Sequence, residues 1–200
     1  MGCAALANAT MLFLGAHYNK PLTLAHWRTL GMLVGCGSLP NLEGLDIWND
    51  NHGDEGVVSL ADGLCRGRLP SLWSLFLDEA QIGRQGATAL APALTKRALP
   101  MLEFISLNYN PLGDAGLAAL LPALRRLPPL KKLALDGTNI GDEGVASLVA
   151  QPTAGALKSL EALHLNRLTR SPTPAAPRSL PPCAAGRCRR SSSSCCTATL

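Results

Sequence analysis

Aromatic and charged residues are both scarce in this chain of 200 residues. Aromatic side chains make up 4% of it and charged ones 16%, whereas 47% of the residues are hydrophobic. No apolar run approaches the roughly 20 residues that a membrane span needs. The short run at residues 11–14 also lacks the preceding basic segment of a targeting signal. The composition therefore predicts one elongated domain with a filled core, no membrane span and a cytoplasmic location.

The chain also lacks the residue patterns of cofactor, metal and catalytic sites. Each Gly-x-x-Gly belongs to a repeated turn, not to a phosphate-binding loop, and the four cysteines after residue 180 do not have zinc-ligand spacing. Cys36 and Cys65 are predicted to be reduced core residues. His164 is expected one repeat away from Asp136, but no nucleophile completes such a pair. We predict no cofactor, no metal and no enzymatic activity.

What the chain does have is a pattern that recurs five times. It reads Leu-x-x-Leu-x-Leu, two variable residues, a polar position, an aliphatic residue and a Gly-x-x-Gly. A fixed period of 28 to 30 residues indicates a solenoid in which each repeat packs on its neighbours. The copies start at Leu42, Leu72, Leu102, Leu130 and Leu160.

The third copy is the most complete and predicts the structure of one repeat. Ile105 and Leu107 alternate with polar or aromatic neighbours, which is typical of a half-buried strand. Asn110 follows at a turn, where its amide can bond free backbone groups and link one repeat to the next. Apolar residues at i, i+3 and i+7 from Leu117 then form one face of a helix.

Charged residues mark the predicted ends of these helices. Carboxylates are expected to cap free amides at the helix starts, and they are Asp54, Glu55, Asp114, Asp142 and Glu143. Cations are expected near the bare carbonyls at the other ends, and they are Arg66, Arg68, Lys96, Arg97, Arg125 and Arg126. Helix ends already account for these basic residues, so we predict no nucleic-acid partner.

Over residues 39–168 the sequence resembles leucine-rich repeats of the ribonuclease-inhibitor-like subclass, which also occur in Ran GTPase-activating proteins and nucleotide-binding immune receptors. The resemblance lies in Leu-x-x-Leu-x-Leu followed by Gly-x-x-Gly and an apolar helix face. It implies an α/β solenoid shaped as a horseshoe, with parallel strands on the concave side and helices on the convex side. It identifies the fold and not the ligand.

Strand alternation predicts which side chains face outward on the concave side. Exposed aromatic residues among carboxylates resemble the anchors of a protein interface, which indicates a partner with a basic and partly apolar surface. The alternative is that Trp48 and Phe76 only pack against each other across neighbouring strands. The predicted partner-binding residues are Asp46, Trp48, Phe76, Asp78, Phe104, Asn108, Tyr109, Asp136, His164 and Asn166.

Two segments flank the repeat domain. Residues 1–38 are predicted to hold one or more degenerate or truncated repeats, in a number that the sequence leaves open. Residues 169–200 are rich in Pro, Ser, Arg and Cys, and this composition predicts a disordered tail. Either a genuine tail or a shifted reading frame explains the abrupt change. Five of the 18 basic residues lie in this tail, which has no acidic residue, so the net charge of +4 belongs to the tail and not to the repeats.

Two functions are compatible with these patterns. The first is a protein–protein interaction module that binds a partner on the concave sheet face. The alternative is a regulator of a small GTPase, similar to a fragment of a Ran GTPase-activating protein. Neither function involves a nucleotide site in this chain.

Overall fold

Strands and helices alternate along the chain. The computed structural model describes residues 6–15, 22–48, 52–95, 97–127, 130–150 and 159–166. The elements are β1 (Met11–Gly15), α1 (Leu24–Gly35), β2 (Gly44–Trp48), α2 (Gly53–Arg66), β3 (Ser74–Asp78), α3 (Arg84–Ala93), β4 (Phe104–Ser106), α4 (Gly113–Leu124), β5 (Lys132–Ala134), α5 (Asp142–Val149) and β6 (Ala162–His164). One strand and the helix that follows it are called a coil below.

The strands form one parallel sheet in chain order, β1-β2-β3-β4-β5-β6. Equivalent residues of successive repeats are paired directly, so Leu45 lies beside Leu75, Leu75 beside Ile105, and Ile105 beside Leu133. Each of these four side chains is at most 1% exposed. The predicted inward stacking of aliphatic residues, coil upon coil, is therefore confirmed.

The helices form a second layer, in which each of α1 to α4 packs against the next helix in the chain. Their apolar faces and the inward strand residues join in one continuous hydrophobic cluster. Leu117, Leu120 and Leu124 of α4 are fully buried, as the i, i+3, i+7 spacing predicts. Burial of each such leucine contributes about 1.5–3 kcal/mol before conformational entropy is subtracted, so the interface between coils stabilises the fold.

Residues 6–15 and 22–38 contribute a further coil, made of β1 and α1, within the segment predicted to hold degenerate or truncated repeats. Met11 pairs with Gly44, a spacing of 33 residues, whereas Gly44 pairs with Ser74 at a spacing of 30. Helix α1 then buries Trp27, Leu30 and Val34 against the core. Its N-terminus carries a capping box in which Thr23 accepts from the His26 amide and the His26 ring accepts from the Thr23 amide.

Asn110 links two coils as predicted. Its amide is 1% exposed, and its Oδ1 accepts from the amides of Ala80 and Ile82 in the preceding coil. Its Nδ2 donates to the carbonyls of Leu77 and Leu107. One side chain thereby satisfies buried backbone groups of both turns.

The aspartates at the helix starts cap the next coil. Asp114 Oδ1 accepts from the amides of Gly141 and Gly144 at the start of α5, at 2.7 and 3.0 Å. Asp54 Oδ1 accepts in the same way from the Gly83 amide at the start of α3. Asp54 and Asp114 lie at helix starts, as predicted. The amides from which they accept hydrogen bonds, however, belong to the helix of the next coil.

The turns that follow the strands alternate between two forms. After β3 the residues with positive φ are Glu79 and Gln81, and after β5 they are the equivalent Gly137 and Asn139. After β4 they are Tyr109 and Gly113, which lie four residues apart. The helices after the first form begin at an extended glycine, Gly83 or Gly141. These are the two helices that Asp54 and Asp114 cap, so two consecutive coils make one structural unit.

The prediction that Cys36 and Cys65 are core residues is wrong. Both thiols are free, as predicted, but both are exposed. Cys65 follows the core residue Leu64, and the next position on a helix points about 100° away. Cys36 is the C-terminal cap residue of α1, beyond its last core position.

The predicted tail at residues 169–200 lies outside the described residues. Within the ranges that the structure describes, no helix is long and apolar enough to cross a membrane.

Candidate partner-binding face

The outward side chains of the strands form three rows on the surface opposite the helices, which we call the sheet face. The first row contains Met11, Gly44, Ser74, Phe104, Lys132 and Ala162. The second contains Phe13, Asp46, Phe76, Ser106, Ala134 and His164. The third contains Gly15, Trp48 and Asp78, and hydrogen bonds between coils continue it through Asn108, Asp136 and Asn166.

Aromatic side chains occupy the centre of the sheet face. The rings of Phe76 and Phe104 meet edge to face, with centroids 4.7 Å apart and an interplanar angle of 72°. Trp48, on the neighbouring strand β2, is also half-buried. The alternative, in which Trp48 and Phe76 only pack against each other across neighbouring strands, stays a prediction. The Phe76 and Phe104 rings are therefore held against each other. We call these two rings and Trp48, which lie on three successive strands and are each partly open to solvent, the aromatic cluster.

Tyr109 lies in the turn after β4 and is 45% exposed. Its backbone has a φ of 56°, which is uncommon for a residue other than glycine. Its ring covers Gly137 of the next coil so closely that a Cβ at Gly137 would come within 2.7 Å of the ring. Gly137 has a φ of 64° as well, so both backbone and space require a glycine there.

Phe13 belongs to the sheet face although the sequence pattern missed it. It pairs with Asp46 in the second row and is 62% exposed. Met11, in the first row of the same strand, is 41% exposed. The irregular spacing before β2 hides this strand from a search for repeats. The alternation of Leu12 and Leu14 with Met11, Phe13 and Gly15 is the signal that could have found it.

The polar column of the third row is a hydrogen-bonded ladder. Asp78 Oδ1 accepts from the Asn108 amide, Asn108 Oδ1 from the Asp136 amide, and Asp136 Oδ1 from the Asn166 amide, at 2.6 to 2.8 Å. The Ser106 hydroxyl also donates to Asp78 Oδ1 at 2.6 Å. One oxygen of each side chain thus joins neighbouring coils, which gives these predicted partner-binding residues a structural role as well.

Burial raises the pKa of the Asp78 carboxyl above its ordinary value, and the nearby Glu79 adds to the effect. Hydrogen bonds from Ser106 and Asn108 oppose the rise without cancelling it. Ionisation of Asp78 therefore costs the folded state free energy.

A cleft lies where the first row meets the residues that precede the strands. It has a volume of about 240 Å³ and is lined by Trp73, Glu103, Phe104, Lys131 and Lys132. Lys131 Nζ donates to Glu103 Oε2 at 2.7 Å, and this bond raises the pKa of the Lys131 ammonium. Lys132 Nζ lies 6.0 Å from the centroid of the Phe104 ring.

The structure places the ten predicted residues along one surface, but does not group them into a catalytic site. His164 and Asn166 are exposed in the last described coil, whereas Asp46 and Trp48 are four strands away from them. The Ser106 hydroxyl donates to Asp78 and not to a histidine. Across the described ranges no three His, Cys, Asp or Glu side chains are arranged to hold a metal ion.

These features define a class of protein: an α/β solenoid of repeated coils that presents an extended parallel sheet to its surroundings. The family model for the Leucine Rich repeat matches residues 98–121 and 126–149, which supports a leucine-rich repeat protein. The matched segments run from just before β4 to the end of α5. No curated protein sequence matches the chain.

Proposed function

We propose that this chain is a protein–protein interaction module that binds its partner on the sheet face, which we take to be the concave side of the solenoid. Leucine-rich repeats are generally protein–protein interaction modules and are typically not enzymes. The observation that carries the proposal is the cluster of Trp48, Phe76 and Phe104, which stays partly open to solvent at the centre of the face.

The chemistry of the face indicates the kind of partner. Large rigid rings dominate the energy of protein interfaces, and surrounding charges set orientation more than affinity. Asp46, Asp78 and Asp136 lie in the rows around the rings. A partner with a basic and partly apolar surface complements this arrangement, and we place the interaction in the cytoplasm.

Simultaneous substitution of Trp48, Phe76 and Phe104 by alanine tests the proposal. Proteins retained by the immobilised wild-type chain are identified, and the main one is purified and titrated against each variant by calorimetry. We expect the triple variant to bind it more than tenfold more weakly, because the anchor side chains are gone.

A matched control removes three exposed apolar side chains from the helix layer, through Met32→Ala, Val58→Ala and Val149→Ala. This control should bind like the wild type. If the two triple variants bind equally well, with unchanged circular dichroism, the sheet face is not the binding surface.

The alternative of a small-GTPase regulator rests on the resemblance to Ran GTPase-activating proteins alone. Such a regulator would accelerate GTP hydrolysis by a Ran-type GTPase without a nucleotide site of its own. A hydrolysis assay with and without the chain decides it, and acceleration would replace the interaction module as the leading function.

A further inference from the structure

The cleft at the edge of the sheet face differs in charge from the rest of that face. Its walls are the rings of Trp73, which is 44% exposed, and Phe104. Its mouth carries two lysines and one glutamate. The predicted site residues are, in contrast, mainly aromatic and acidic.

The charges in the cleft do not cancel. Glu103 is bonded to Lys131 at 2.7 Å, and both side chains remain somewhat less than half exposed. Among the described residues, no carboxylate lies within 4.0 Å of Lys132 Nζ. Glu161, beyond the cleft lining, also acts on Lys131. Lys132 is therefore the cleft lysine whose charge is least compensated, and it lies beside the aromatic walls.

We propose that this cleft receives a carboxylate side chain of the partner protein, with a neighbouring apolar side chain of the partner packed on Trp73 and Phe104. A carboxylate carries the single negative charge that Lys132 leaves uncompensated. A phosphate dianion would keep a second charge beside the Glu103 carboxylate, where like charges repel. The inference rests on the proposed function, because the cleft borders the same face.

The position of the cleft also fixes the direction in which the partner crosses the sheet. The Phe104 row and the Asn108 row are four residues apart along the strands, or about 13 Å. The partner must then present an acidic group at the cleft and basic groups about 13 Å away, near Asp78 and Asp136. Opposite charges at the two ends of the strands allow one orientation and disfavour the reverse.

The test is an NMR titration of the full chain with the short peptide acetyl-Gly-Leu-Glu-Gly-amide and with its Gln and Lys analogues. The indole N–H of Trp73, assigned through a Trp73→Phe variant, reports on the cleft. We expect the Glu peptide to shift this signal and to bind more tightly than the Gln peptide. The Lys peptide should bind most weakly.

Two substitutions should change the affinity for the Glu peptide in opposite directions. Lys132→Met removes the uncompensated charge and should weaken binding about two- to fivefold, the range of one exposed ion pair. Glu103→Gln frees Lys131 and should tighten binding by a similar factor. Arg84→Met, which removes an exposed cation at the start of α3, should leave the affinity unchanged.

Equal binding of the Glu and Gln peptides, or the same affinity in the Lys132→Met and Glu103→Gln variants, would overturn the carboxylate site. Such a failure is distinct from failure of the proposed function, which the calorimetric titration of the triple sheet-face variant measures. If the triple variant binds the partner as tightly as the wild type does while the peptide still binds in the charge-dependent way, the cleft is a carboxylate site, and the proposed role of the aromatic cluster is wrong.

Discussion

Asp78 shows how one side chain serves the fold and the sheet face together. Its Oδ1 accepts from the Ser106 hydroxyl and the Asn108 amide, and its burial raises the pKa of the carboxyl. A carboxyl whose pKa is raised by folding adds most to stability below its unfolded pKa, and this contribution is lost as the pH rises through the folded pKa. Ionised Asp78 therefore weakens the fold at neutral pH.

Replacement of Asp78 by asparagine should remove this pH-dependent loss. The amide oxygen can keep both hydrogen bonds, since Asn108 Oδ1 already accepts from Asp136 in the equivalent place. We expect the difference in unfolding free energy, variant minus wild type, to become more positive as the pH rises from below the ordinary carboxyl pKa toward neutrality. Urea denaturation at a series of pH values measures it.

Asp62→Asn, on the exposed face of α2, is the matched control for the change in net charge. A difference for Asp78→Asn that falls as the pH rises would contradict the assigned cause of the pKa shift.

Among the secondary-structure elements, the starts of α3 and α5 depend on the coil before them. Asp114 is in the first turn of α4, yet its carboxylate bonds the start of α5. Gly144 is part of the same arrangement, because a Cβ there would come within 2.5 Å of Asp114 Oδ1. The second glycine of the Gly-x-x-Gly thus makes room for a carboxylate from the preceding coil, which explains why a small residue is needed at that position.

Asp114→Ala should lower the free energy of unfolding by about 1–2 kcal/mol, because two amides at the start of α5 lose their acceptor. The matched control is Asp142→Ala, which removes an exposed carboxylate from the first turn of α5 itself. This control should cost less than about 0.5 kcal/mol.

Chemical denaturation of both variants measures the two changes. Equal losses would mean that the helix dipole, and not the cap from the preceding coil, determines the effect.

The molecule as a whole is a linear stack, in which each coil contacts mainly its neighbours. The central strands β3 and β4 pack between coils on both sides, and their inward residues are fully buried. The last described strand, β6, is more open, since Leu163 is 42% exposed. Local stability should therefore fall from the centre of the stack toward β6.

Amide hydrogen exchange should reveal this gradient. We expect amides in β6 to exchange at least about tenfold faster than those in β3 and β4, because the inward residue Leu163 is 42% exposed whereas Leu75 and Ile105 are buried. Mass spectrometry or NMR under native conditions measures the rates. Uniform protection from β2 to β6 would show that the stack opens only as a single unit.

At the level of the sheet, the repeat pattern alone predicted which strand residues point inward. The spacing of leucines is local in the chain, and parallel pairing of equal repeats brings equal positions together, as for Leu75 and Ile105. The same alternation predicted the outward positions of Trp48, Phe76 and Phe104. Their roles as partner-binding residues remain a prediction.

The sequence by itself determined the repeated strand–turn–helix unit, its inward residues and the asparagine link at Asn110, because each depends on residues close together in the chain or on a constant period. Only the tertiary structure decided which coil Asp54 and Asp114 cap and that Phe13 joins the sheet face through an irregular spacing. It also decided that Glu103 bonds Lys131, while Lys132 has no carboxylate within 4.0 Å in the described part of the chain. Those outcomes depend on distances between side chains of different coils, and no periodicity within a single repeat specifies them.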